Sequence, residues 1–140
     1  MKGFMKFAVL AALLFVLGGC AAKGQKFEPV QAPADKGIVF VYRDPGFVGS
    51  GVFYDVYAGQ EVICSLVQGG YCQYLAAPGE LEIWGKTESK SSVTINVEAG
   101  KASYVKAGVR MGFLVGKPYF EEVPASVGAN EIAQCKQCTK

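Results

Sequence analysis

From residue 37 onward the apolar positions come in short runs broken by glycine, and their period is two rather than 3.6. Runs of that kind predict strands at 38–42, 52–57, 61–67, 71–76, 81–86, 92–97, 103–107 and 118–123. In the sixth run Val93, Ile95 and Val97 share one face. In the first, Ile38-Val39-Phe40-Val41-Tyr42 has no polar break, the mark of a strand buried on both faces. Ala58-Gly59, Gln68-Gly69-Gly70, Pro78-Gly79 and Glu98-Ala99-Gly100-Lys101 read as turns between them, most simply of hairpins. Short strands at intervals of about ten residues predict an all-β fold, an antiparallel β-sandwich of seven to eight strands. A short C-terminal helix is expected in residues 124–140. There Ser126 is a candidate cap, and Val127, Glu131, Ile132 and Cys135 recur at near-helical spacing, while Gly128 weakens the pattern.

The first twenty residues have a different character. Lys2 and Lys6 precede an uninterrupted apolar run of eleven residues, 7–17, and then Gly18-Gly19-Cys20. Eleven residues are too few to cross a hydrocarbon core, which needs about 20. The layout is that of a secretory signal, and Leu17-Gly18-Gly19-Cys20 resembles a bacterial lipoprotein signal. That resemblance implies removal of residues 1–19, acylation of Cys20 and a membrane contact through the resulting N-terminal lipid anchor. More than one acyl chain gives stable attachment. Ala21 and Ala22 follow the cysteine with no Asp, which by likeness to Gram-negative sorting rules implies the outer membrane, with the folded part facing the periplasm. Residues 20–36, with two prolines and no apolar period, read as a flexible tether. The sandwich would then occupy 37–123 and a helical tail with a C-x-x-C pair 124–140.

Charge and composition remove several functions. Lys2 and Lys6 account for the excess of 14 basic over 12 acidic side chains, so the chain from residue 20 on is formally neutral. Its basic residues are scattered, which argues against nucleic acid as a partner. With no histidine, the commonest general base and the usual Ser-His and Cys-His pairs are missing. Glu121 and Glu122, adjacent in a strand, face opposite sides. No catalytic set, metal site or cofactor is expected, and the chain reads as non-enzymatic.

Two glycine-bounded loops are the candidates for contact with a partner. Gly46-Phe47-Val48-Gly49-Ser50-Gly51 lacks the strand-before, helix-after context of a phosphate-binding loop. Residues 108–116 carry Met111, Phe113, Leu114 and Val115 between glycines. Together Phe47, Phe113 and Leu114, with Arg43 and Arg110 nearby, would form an apolar patch at one end of the sandwich. Phe and Leu are usually buried, so the plainer expectation is that these side chains fold back and plug the end of the core. Candidate partners are an envelope protein, peptidoglycan or lipid.

Four cysteines besides Cys20 favour disulfides in an oxidising compartment. Cys64 and Cys72 suit a hairpin pair, but register decides. A two-residue turn at Gly69-Gly70 sets Cys64 against Leu75 and points the cysteines to opposite faces, whereas a five-residue loop sets them opposite each other. Cys64–Cys72 with Cys135–Cys138 is favoured; the alternative pins the tail to the sheet. A redox role for Cys135-x-x-Cys138 requires a lowered thiol pKa.

Tyr42-Arg43, Gly46-Phe47-Val48-Gly49-Ser50, Tyr54-Asp55-Val56-Tyr57, Ala77-Pro78-Gly79, the 87–92 segment and the 109–116 segment together resemble a family of uncharacterised bacterial lipoproteins, domain of unknown function 2846. The likeness spans residues 37–135, and the hairpin arrangement is similar to sandwich modules of the PEGA or transthyretin-like type. It implies a place and a fold, with no activity attached. Cys64 and Cys72 stand where the family pattern has a small and an aromatic residue, so it carries no cysteine chemistry over.

Overall fold

The unbroken run around Phe40 forms the strand about which the rest is arranged. A computed structural model describes residues 24–46, 49 and 51–139; Cys20 and Phe47 lie outside the described residues. Strand β1 (Gly37–Arg43) is buried at every position. Val39 and Val41 face the core between two sheets, while Ile38, Phe40 and Tyr42 face a second apolar cluster on the outer side. The remaining elements are β2 (Tyr54–Ala58), β3 (Glu61–Leu66), β4 (Gly70–Ala76), β5 (Gly79–Lys86), β6 (Lys90–Val97), β7 (Ala102–Arg110), β8 (Lys117–Val123), α1 (Ala125–Ile132) and β9 (Lys136–Gln137). One sheet has the order β8-β7-β1-β4-β9 and the other β3-β2-β5-β6. This is the expected all-β sandwich with one short C-terminal helix.

The four-stranded sheet is antiparallel throughout. The five-stranded sheet is mixed, because β1 runs parallel to β7 and β4 parallel to β9. Neither pair is joined by a tight turn, so nothing imposes the antiparallel sense on it. Hairpins join β2 to β3, β5 to β6 and β7 to β8, but of the four turns named from the sequence only Ala58-Gly59 is one of these. The other three are crossovers, and Pro78-Gly79 takes the chain from β4 in one sheet to β5 in the other. Gln68-Gly69-Gly70 takes the chain from β3 in one sheet to β4 in the other, and residues 98–101 take it from β6 to β7.

The crossover settles the first cysteine pair. Cys64 and Cys72 are disulfide-bonded with a Cα–Cα distance of 6.1 Å, but the bond ties one sheet to the other. Neither hairpin register applies, because β3 and β4 are not paired.

The outer cluster is roofed by α1 and by the segment before β1. Phe27 is buried edge-on against Phe40 and Tyr71, with ring centroids 5.2 and 5.4 Å away. Phe27 N–H donates to the Cys135 carbonyl, and Gln137 N–H donates to Gln25. The segment read as a spacer therefore lies on the sandwich from Gly24 onward. Helix α1 begins after Pro124 with no side-chain cap, so Ser126 falls inside the first turn instead of capping it.

Cys135 and Cys138 are both free thiols, against the expected tail disulfide. They flank the two-residue strand β9, and three positions along an extended chain is an odd number, which sends the two side chains to opposite faces. Cys135 sits in the outer cluster with Ile132, and Cys138 packs against the core between the sheets.

Candidate functional site

Strands β7 and β8 pair as far as Arg110 opposite Lys117, and residues 111–116 form the tip between them. Met111 is 96% exposed, Phe113 92% and Leu114 82%. The expectation that they plug the core is not met, because that end of the core is already filled. Tyr54 donates its hydroxyl to the Gly108 carbonyl at 2.8 Å and meets Phe120 edge-on. Those two rings crowd Gly85 so closely that even a methyl group there would stand 3.0 and 3.1 Å from them.

A carboxylate holds it out. Glu88, in the turn between β5 and β6, accepts N–H bonds from Phe113 at 2.6 Å, Leu114 at 2.7 Å and Val115 at 3.2 Å. Thr87 adds a hydroxyl bond to the Gly116 carbonyl. Gly112 is dictated by this arrangement, since a Cβ there would overlap a Glu88 carboxylate oxygen. The result is a preformed loop with its amides already bonded and its apolar side chains turned outward. Burying a side chain of this size is worth about 1.5–3 kcal/mol, so three left in water mark a surface shaped for contact. Phe53, 66% exposed, stands nearby. It lines a shallow recess of about 370 Å³ with Lys86, Thr87 and Val115.

The amide of Leu114 foremost, then those of Val115 and Phe113, hold the Glu88 carboxyl below its ordinary value of 4.5, with Lys117 assisting. A carboxylate depressed in the folded state contributes order that is present above the ordinary value and lost as pH falls through the lower, folded value. Protection factors of the Phe113 and Leu114 amides, taken against their intrinsic exchange, should therefore be high at neutral pH and fall in acid below 4.5, while the β1 amides stay protected. Glu88→Gln should lower that protection at neutral pH, towards the level that the parent reaches in acid.

The other predicted contact residues separate. Arg110 is exposed at the base of the tip, its guanidinium 4.6 Å from the centre of the Tyr119 ring. Arg43 is buried, and its guanidinium donates to the carbonyls of Val52 at 2.6 Å and Gly49 at 2.7 Å. It ties the end of β1 to Gly49 and Val52 and is not available to a partner, which corrects its place among the contact residues. Asp44 pairs with Lys106 at 3.0 Å.

Neither thiol has the lowered pKa that a redox role requires. Burial pushes Cys135 up to about 12, with Asp44 adding to the rise, and burial also raises Cys138. Both are therefore thiols rather than reactive thiolates. Trp84 stacks on Tyr57 at 4.0 Å, lies 4.5 Å beneath the Lys90 ammonium and donates to the Gly59 carbonyl. Its ring is committed within the sheet. Among the described residues no group of three or more Cys, Asp or Glu is placed to hold a metal.

Against protein-family models, curated proteins and solved structures, the chain has no match. Glu88 is the functional residue that sequence reasoning missed. An acid in a tight turn normally signals only solvent exposure, and its partners lie some 25 residues away.

Proposed function

We propose that this protein is a non-enzymatic lipoprotein of a Gram-negative outer membrane, held by acylated Cys20, whose periplasmic sandwich is a binding module acting through the apolar tip at 111–115. The observation that carries the binding role is the tip itself, with Met111, Phe113 and Leu114 outward and the backbone fixed by Glu88. The signal-like residues 1–20 and the family resemblance support the anchor and the compartment. Peptidoglycan is a poorer fit than an apolar target, because glycan recognition needs open aromatic faces and free polar groups. Here the tip amides and the Trp84 ring are already engaged.

Metabolic labelling with palmitate tests the anchor: label should enter the wild type and be lost with Cys20→Ala. Retention on washed envelope fragments tests the contact. A chain from residue 20 on, carrying Cys20→Ser, should be retained, and Met111→Ser/Phe113→Ser/Leu114→Ser should release it without lowering its melting temperature. Unlabelled wild type, or equal retention of both chains, would contradict the proposal.

A further inference from the structure

Resting on that reading, we infer that the tip's target is the phospholipid surface of the leaflet that holds the anchor, with the tip dipping among the acyl chains and a basic collar meeting anionic headgroups. The tip's composition comes first. Residues 111–116 carry no charge, and the two residues that frame them, Arg110 and Lys117, are both cations standing directly opposite each other. Lys86 lines the recess beside Val115. An apolar tip within a collar of cations matches the depth profile of a bilayer, hydrocarbon below and anionic headgroups above. Arg110 lying on Tyr119 adds an aromatic ring at the same level, where such rings favour the interface.

The second argument separates lipid from a protein partner. Backbone N–H groups entering hydrocarbon need partners from within the protein, since lipid supplies none. The amides of Phe113, Leu114 and Val115 are bonded to Glu88 before any contact is made. A protein partner would gain from open donors at this position, whereas a bilayer requires them closed. Glu88 is itself turned onto those amides with Lys117 nearby, so the collar presents its cations outward.

The third argument is reach. Four residues link Cys20 to Gly24, at most about 14 Å of chain, and Gly24 is packed beside Gln137 at the β9 edge. That edge is three strand spacings from β7, roughly 14 Å, and the tip stands roughly 20 Å further along the strands. The short link thus keeps the sandwich against its leaflet, where a modest tilt brings the tip to the surface.

Flotation with phospholipid vesicles tests this, using the chain from residue 20 on with Cys20→Ser, which retains every described element. It should float with vesicles of phosphatidylglycerol and phosphatidylethanolamine, and about tenfold more weakly with phosphatidylcholine. Met111→Ser/Phe113→Ser/Leu114→Ser should reduce binding roughly a hundredfold. Arg110→Gln/Lys117→Gln should weaken it on anionic vesicles alone. A parent chain that fails to float, or a triple variant that floats as well as its parent, overturns the inference. If the parent fails to float while the triple variant still loses envelope retention, the apolar contact stands with a protein as its target. Concentration-dependent self-association without flotation would assign the tip to a second copy of the chain and likewise overturn the lipid inference.

Discussion

Gly128→Ala is expected to destabilise the protein by about 2–3 kcal/mol, although alanine is the better helix former. A Cβ at this position would stand 2.3 Å from the Tyr104 Cβ and 2.4 Å from its Cγ. Tyr104 belongs to β7, which is hydrogen-bonded on both sides by β1 and β8, so the helix must move and the strand stays. Lifting α1 withdraws Ile132, now completely buried, from the outer cluster. Exposing a side chain of that size costs about 1.5–3 kcal/mol, and the added strain outweighs the gain of about 1 kcal/mol from helix propensity. Urea denaturation measures the loss. A second readout locates it: Cys135 should become alkylated before global unfolding in the variant and stay unreactive in the parent.

Arg43→Ala should cost about 3 kcal/mol and free the loop that follows β1. The guanidinium makes two charge-assisted bonds to main-chain carbonyls, each of a kind worth about 1.5–3 kcal/mol. Exposure of the freed carbonyls to water recovers part of that. Arg43→Lys should restore only a fraction, because one ammonium lacks the fork that reaches both Gly49 and Val52. Urea denaturation should place both variants below the wild type, with Arg43→Ala the lower of the two. Wild-type stability in Arg43→Ala would mean that the clasp contributes nothing.

How far the sequence foretold the fold depended on whether a feature was local. The unbroken β1 run correctly announced a strand buried on both faces, and the alternation of Val93, Ile95 and Val97 marked an inward face. The hairpin at Pro78-Gly79 failed because a turn residue fixes a change of direction and not the sheet that receives the next strand. The same blindness misdirected the register argument for Cys64 and Cys72, which meet across the sandwich. Gly128 read as a weakness in the helix, when it is the point where α1 closes on Tyr104. Phe27 stood as an isolated aromatic in a segment without period, so nothing local showed that it seats the chain on the outer face.

The candidate site divides along the same line. Glycine-bounded Phe113 and Leu114 were visible as a contact element, but general burial statistics pointed them inward. Only the filled core beneath them and the Glu88 carboxylate beside them reverse that expectation. Arg43 misled in the opposite direction: an arginine at the mouth of a loop looks outward until the carbonyls of that loop are seen to fold over it.

The most direct test is tryptophan fluorescence of Phe113→Trp in a Trp84→Phe background, leaving one indole in the chain. In the free protein the emission should be that of a water-exposed indole, open to soluble quenchers, and on envelope fragments it should shift to the blue and become protected. Blue, protected emission from the free protein would mean that the tip folds inward, and the proposed contact surface would not exist.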